Sequence, residues 1–423
     1  QKISGWTPGE QEEEEEEEEE TEEKTVTVGW LGSVETDQGV ASWRLTQLFV
    51  DDYNEKWSKQ DGYPDWNVEI VGPFDTAQST TEGVQVYRTL AGKNPDLIIE
   101  SAIDDVTMAM MDAVKESSIP HITQFTSAVR TVERVGEDDI YNYFMAQQYD
   151  YYHSYLITRQ ADAISKSLVE QGYPEPGFET TVCMIEDTAY GRGTLEMLEK
   201  DLPDAGYEIL DTIIHDVNTA DYAPIYDQIK SMDPDFITVV QSVNDLPPVK
   251  QWASLEVGIP LVGINVSAMG PYFWEDSAGE ALGAPSYANT HPYGEEVTSD
   301  LVNSLYEDVL DRWGQSRPIW QYTAAQTYIS ALMAFKAAGN AGGFWDSDAR
   351  ESSEQWAEAM EQVEFETYNG DELWNRYSFY AMGETAPQTE SVCSHNWKLE
   401  ELDGKQYYYP QQGVWFSEDV DGI

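Results

Sequence analysis

From Thr25 onward the apolar positions of the chain fall into two alternating periods. Short runs rich in β-branched residues read as strands: "TVTVGWLG" (25–32), "NVEIVGPF" (67–74), "PDLIIES" (95–101) and "PHITQF" (120–125). Between them the apolar residues recur at three- and four-residue spacing, as an amphipathic helix requires. These stretches are "GVASWRLTQLFVDDYNEKW" (39–57), "TTEGVQVYRTLAG" (80–92, closed by Gly92) and "VTMAMMDAVKES" (106–117). Strands that are apolar almost throughout, separated by helices, predict βαβ units around a parallel sheet covered on both faces.

The rhythm then repeats. A helix over Tyr149 to Gln171 leads into the strand "TTVCMIED" (180–187), a helix from Gly193 and the strand "YEILDTIIH" (207–215). Helices over Tyr222 to Met232 and Leu246 to Leu255 alternate with "DFITVVQ" (235–241) and "PLVGI" (260–264). "GAPSYANT" (283–290) returns as a strand, two helices follow (Ser299 to Trp313, Tyr322 to Ala338), and "QYYYPQQGVWF" reads as a C-terminal packing strand rather than a sugar-stacking platform. The expected fold is α/β, with two doubly wound parallel-sheet lobes. Residues 1–24 form an acidic arm, 25–148 with 290–364 the first lobe, and 149–289 with 365–423 the second. In such folds a ligand sits in the crevice at the carboxyl ends of the strands.

Charge changes the picture more than composition does. Asp and Glu number 79 against 23 Lys and Arg, a net charge of −56. Twelve glutamates lie between Glu10 and Glu23, and without them the excess is still about 44 negative charges, so the acidity covers the whole surface. Nucleic acid is excluded as a partner, because phosphate binding needs clustered Lys and Arg. Repulsion on this scale opposes a compact state in dilute buffer and is screened at molar salt, where the Debye length falls to ~3 Å. Such a surface resembles that of proteins from extreme halophiles; the alternative is one unusually acidic mesophilic protein.

Other chemistry is sparse. Cys183 lies inside an apolar strand pattern and reads as a small buried residue, with a bridge to Cys393 as the alternative. The five histidines show no metal-ligand spacing, and neither a nucleophile elbow nor a P-loop occurs, so no cofactor, metal or enzymatic activity is expected. Glu186-Asp187 has the form of a paired-carboxylate set, and Gly191-Arg192-Gly193 is a dinucleotide fingerprint without its third glycine; both read as loop features. No apolar run approaches the ~18 residues of a membrane span. Gln1 reads as the start of a processed chain, compatible with a removed signal peptide.

At "VCMIEDTAYGRGTLEMLEKDLPDAGYEI" a strand ends in an acidic pair, Tyr190-Gly191-x-Gly193 opens a helix, and "AGYEI" starts the next strand. With "NPDLIIESAIDDVTMAMMDAVKESSIPHITQFTSA", "DPDFITVVQSVNDLPPVKQWASLEVGIPLVGIN" and "QYTAAQTYISALMAF", this succession resembles the type I periplasmic-binding-protein fold. More narrowly, it is similar to the substrate-binding proteins of branched-chain amino acid, amide and urea ABC transporters, from about Thr25 to Ala338. The resemblance implies two lobes that close on a small solute and loops at the strand ends that contact it. It assigns an aromatic-contact position to Gln38 and cleft-facing positions to Ser101 and Ala102. Phe125, Thr126 and Ser127 take the place of hydroxyls and N–H groups that hold a carboxylate. Tyr190 matches an aromatic that covers the ligand, and Asn244 falls where a second aromatic sits. Asn265 falls where amino acid binders carry an acid for the ammonium group. A neutral Asn265 does not pair with an ammonium, so either Asp245 or Glu186 supplies the charge or the ligand is a neutral amide or urea-like molecule. Asn265-Val266-Ser267 is also a formal glycosylation sequon, which a position at the cleft argues against.

The expected function is therefore that of an extracellular solute-binding subunit of an ABC importer. Its partners are a small polar nitrogenous solute and a membrane permease, and the chain is secreted and tethered at the cell surface. One alternative is a structural subunit that assembles with neighbouring copies through the N-terminal arm; another is a sensor ectodomain of the same fold.

Overall fold

The first strand, β1 (Lys24–Gly32), sets the layering of the first lobe. Val26, Val28 and Trp30 pack on one face of its sheet, while Leu31 packs on the other. Full burial of an apolar side chain of the size of Val28 contributes ~1.5–3 kcal/mol, so both faces need a helical layer. β1 pairs in parallel with β2 (Trp66–Asp75) and β3 (Leu97–Ser101), and β4 (His121–Thr123) and β5 (Tyr143–Met145) extend the sheet in the order β2-β1-β3-β4-β5. On the Trp30 face lies α1 (Asp37–Glu55), capped by Thr36, whose Oγ1 accepts the Gly39 N–H at 3.2 Å. On the Leu31 face lie α2 (Thr80–Ala91), α3 (Asp104–Ser117) and α4 (Val129–Glu137). The computed structural model describes residues 24–172, 174–243, 245–269, 273–279, 299–314, 325–344, 350–385, 392–393, 395 and 397–399.

Residues 146–149 cross to the second lobe, which starts with α5 (Asp150–Glu170). Its parallel sheet contains β6 (Thr180–Glu186), β7 (Glu208–His215), β8 (Phe236–Gln241) and β9 (Leu261–Asn265), in the order β7-β6-β8-β9. α5 and α6 (Ala189–Asp204) cover one face; α7 (Ala223–Met232), α8 (Leu246–Ser254) and the single turn α9 (Phe273–Asp276) cover the other. The chain then returns. α10 (Asp300–Trp313), α11 (Ser330–Ala341) and α12 (Arg350–Glu361) add to the Trp30 face of the first lobe, α11 following a π-helical turn over Ala325–Ile329. Two doubly wound parallel sheets, as the apolar pattern predicts, are what the chain builds.

Three differences from the sequence-based expectation have plain causes. α4 and β5 were not anticipated: "VRTVERVGE" carries four charges in nine residues and β5 is three residues long, too short for either period to register. α6 begins four residues before Gly193, because Thr188 Oγ1 caps it by accepting the Gly191 N–H at 2.9 Å. The third concerns residues 365–423, expected in the second lobe. Within them, β10 (Phe365–Asn369) and β11 (Glu372–Phe379) pair antiparallel, followed by β12 (Glu384–Thr385), β13 (Val392–Cys393) and β14 (Trp397–Leu399). Their described side chains pack on the first lobe instead. Phe379 meets the Phe144 ring edge-on at 5.1 Å and His395 stacks on it at 4.2 Å. β5 is the edge of its sheet, and the His395 carbonyl accepts the Met145 N–H at 2.9 Å, which covers that edge. The arm, "GAPSYANT" and "QYYYPQQGVWF" lie outside the described residues. Cys183 is a free thiol buried in β6, and burial pushes its pKa up to about 12.

Candidate ligand-binding cleft

The carboxyl ends of the two sheets face a shared cleft with about 530 Å³ of empty space that runs out into open solvent. The first lobe contributes Ile103, Asp104 and Asp105 from the turn that starts α3, with Phe125 and Ser127 from the loop between β4 and α4. Gln147 comes from the crossover, and its Nε2 donates to Ser127 Oγ at 3.3 Å. From the second lobe, His153 projects from α5 and Tyr190 from the first turn of α6; His153 Nδ1 and the Tyr190 hydroxyl are hydrogen-bonded at 2.9 Å. Ser242 and Val243 follow β8, while Ile264 and Val266 flank the end of β9. Across the cleft, the Ala189 N–H donates to Asp105 Oδ2 at 3.4 Å.

Carboxylates dominate the electrostatics. Asp104 Oδ1 accepts the N–H groups of Ser127 (2.8 Å) and Ala128 (2.5 Å), and so fixes the start of α4. Glu186 accepts the N–H groups of Ser242 (2.7 Å) and Val243 (3.2 Å), together with the hydroxyls of Ser242 and Thr188. Asp245 takes the N–H and hydroxyl of Ser267, both at 2.6 Å. Burial raises the pKa of all three; these hydrogen bonds pull in the opposite direction. For Asp104 the result is about 7. Behind it Asp150 is also raised well above the usual carboxylate range by burial and by the nearby Asp104 charge. Burial lowers His153 to about 3, so its ring is neutral at ordinary pH.

The two glycines of Tyr190-Gly191-x-Gly193 serve packing. A Cβ on Gly191 would lie 2.2 Å from the Glu186 carbonyl oxygen, and one on Gly193 2.0 Å from Asp150 Oδ2. The glycines let α6 approach β6 and α5 closely, and no phosphate is needed to account for them.

Of the residues singled out from sequence, Phe125, Ser127 and Tyr190 line the cavity. Thr126 does not. Its hydroxyl points into the first lobe, donating to Thr107 Oγ1 at 2.7 Å and accepting from Thr123 Oγ1 at 3.1 Å. That network continues through Glu100 to His121, whose Nε2 lies 2.6 Å from the carboxylate. Ser101 is buried, with its carbonyl accepting the Ser33 N–H at 3.3 Å; Ala102 is buried with its carbonyl near Thr126. Neither is in the cavity wall, nor is Gln38, which sits in the first turn of α1. Asn265 is buried too, its Nδ2 donating to the Asp245 carbonyl at 2.6 Å, so the wall is formed by its two neighbours instead. Asn244 lies outside the described residues. Asp104, Asp105, Gln147, His153 and Ser242 were missed. A signal existed for the aspartates: "AIDD" follows a buried strand and opens a helix, where acidic residues favour the helix dipole.

Among the described residues no group of three His, Cys, Asp or Glu side chains is placed to hold a metal ion, and no helix is long and apolar enough to cross a membrane. No curated protein matches the chain in sequence. Solved structures do match in fold. A putative branched-chain amino acid ABC transporter protein from Silicibacter pomeroyi superposes with a TM-score of 0.66 at 14% identity, covering 91% of this chain and 95% of its own. The solute-binding protein of an ABC transporter from Rhodopseudomonas palustris BisB5, in complex with 3,4-dihydroxybenzoic acid, gives 0.64 at 16% identity, covering 90% and 94%. A leucine-binding protein from Thermotoga maritima MSB8 gives 0.63 at 14% identity, covering 89% and 98%. These identities carry the fold alone. A family model described as "Periplasmic binding protein" matches residues 25–379. With that span covering both sheets and the cleft between them, the chain belongs to the periplasmic binding protein family.

Proposed function

We propose that this protein is the extracellular solute-binding subunit of an ABC importer, capturing a small polar nitrogenous solute between its two lobes and delivering it to a membrane permease. The observation that carries this reading is the cavity itself. It lies where the strand ends of two doubly wound sheets meet, and its walls come from both lobes. Family membership supports a binding role without chemical turnover. The structural neighbours named for amino acid and aromatic-acid binding support a small organic ligand. The acidic surface supports work in concentrated salt.

A thermal-shift screen in molar KCl, against amino acids, amides, urea, amines, aromatic acids and short peptides, tests it. A ligand at one hundred times its Kd adds about 2.7 kcal/mol of stability and a visible rise in Tm. No rise with any of them, alongside filaments in electron micrographs, would replace the importer reading by assembly of copies through the arm.

A further inference from the structure

Resting on the binding-protein reading, we infer that the cleft selects a small organic cation without a carboxylate, its charge held at Asp104 and Asp105 and its apolar part against the Phe125 ring and the Ile264–Val266 wall. An anionic group needs either a basic side chain or unclaimed N–H donors. Among the described residues, the cavity wall contains neither Lys nor Arg. Six backbone donors at the strand ends and the start of α6 are already claimed from within. Asp104 holds the Ser127 and Ala128 N–H groups, Glu186 those of Ser242 and Val243, and Asp245 that of Ser267. The Ala189 N–H, at the start of α6, faces Asp105. Protein carboxylates thus occupy these six donors, which would otherwise be open to a ligand carboxylate. A bound carboxylate would have to displace them while facing two aspartates across a low-dielectric cavity.

The same arrangement suits a cation. Asp104 is buried and Asp105, at the cavity edge, is exposed. Burial holds the Asp104 carboxyl up to about 7, a cost that an adjacent positive charge relieves. The neutral His153 adds no repulsion. Glu186 and Asp245 have both carboxylate oxygens engaged by groups of their own lobe, whereas the two N–H bonds of Asp104 fall on Oδ1 alone. The aspartates at the start of α3 take that place.

Matched ligands test this. Isopentylamine, leucine and isovalerate share one apolar group, as do benzylamine, phenylalanine and benzoate. Calorimetry at pH 8 in molar KCl should show the amines binding at least tenfold more tightly than the amino acids, and no binding of the acids. Asp105→Asn, on an exposed residue, should weaken the amines about tenfold. Asp104→Asn, which keeps an acceptor for the Ser127 and Ala128 N–H groups, should do the same. Tight binding of leucine or benzoate would overturn the cation inference and leave the binding-protein reading standing; so would unchanged amine affinity in both variants. No binding by any compound, in this set or in the broader screen, would instead remove the binding-protein reading itself.

Discussion

Thr126 and Ser127 are adjacent, chemically alike and equally plausible as ligand donors on sequence, yet the backbone turns them in opposite directions. Ser127→Ala should change ligand affinity with little effect on folding. Thr126→Ala takes away the acceptor of the buried Thr123 hydroxyl and should cost about 1–3 kcal/mol of stability with affinity unchanged. Denaturant midpoints and calorimetry on the two single variants separate these outcomes. Asp104 gives a second test at this scale. Its folded pKa of about 7 lies above the ordinary aspartate value, so folding takes up a proton and stability falls as pH rises from about 4 to 7. The charges of Asp105 and Glu186 act in the same direction as burial. Neutral His153 works the other way, since its folded pKa of about 3 makes stability rise with pH up to about 6.5. Comparing Asp104→Asn with wild type at each pH cancels the histidine. The variant's Tm advantage should be near zero at pH 4 and on the order of 5 °C at pH 8. An advantage independent of pH would show that the Asp104 charge is not what the fold tolerates at a cost.

Elements were legible where their period ran long enough. β1 to β3, α1 to α3 and the strands of the second lobe are close to their predicted bounds, because near-continuous β-branched runs and three-and-four spacing are strong signals. The short α4 and β5 were not legible, nor was the packing of the described residues after Phe365 on the first lobe, since that pairing depends on an uncovered sheet edge far away in sequence. The cleft was half legible. Strand ends located it, but which face each loop residue presents follows from tertiary contacts such as the Asp104 cap. The Tyr190-Gly191-x-Gly193 turn shows how packing can overrule propensity. In an exposed helix Gly→Ala gains up to ~1 kcal/mol. At Gly193 the new methyl would strike Asp150 Oδ2, which also accepts the Val129 N–H at 3.2 Å. Gly193→Ala should therefore destabilise by about 1–3 kcal/mol, read from the midpoint of urea unfolding.

Over the whole molecule, 79 acidic side chains share 23 basic ones, which leaves a net charge of −56. Arg130 bridges Glu133 and Glu137, and Arg134 bridges Asp112 and Asp138. Most carboxylates have no such neighbour available, so screening has to come from the solvent. Tm should climb on the order of 10 °C between 0.1 M and 3 M KCl, and a flat profile would remove salt adaptation from the account of this surface. Concentrated salt, however, poses a problem for any receptor cleft built on backbone amides. An open amide cradle at the end of a strand or helix is a halide trap, and at molar chloride it would be filled long before a dilute solute arrived. Here the aspartate and glutamate already seated on those amides act as built-in plugs. At molar chloride those amides would offer the anion no vacancy, and the cleft would keep the same amide contacts as in dilute buffer.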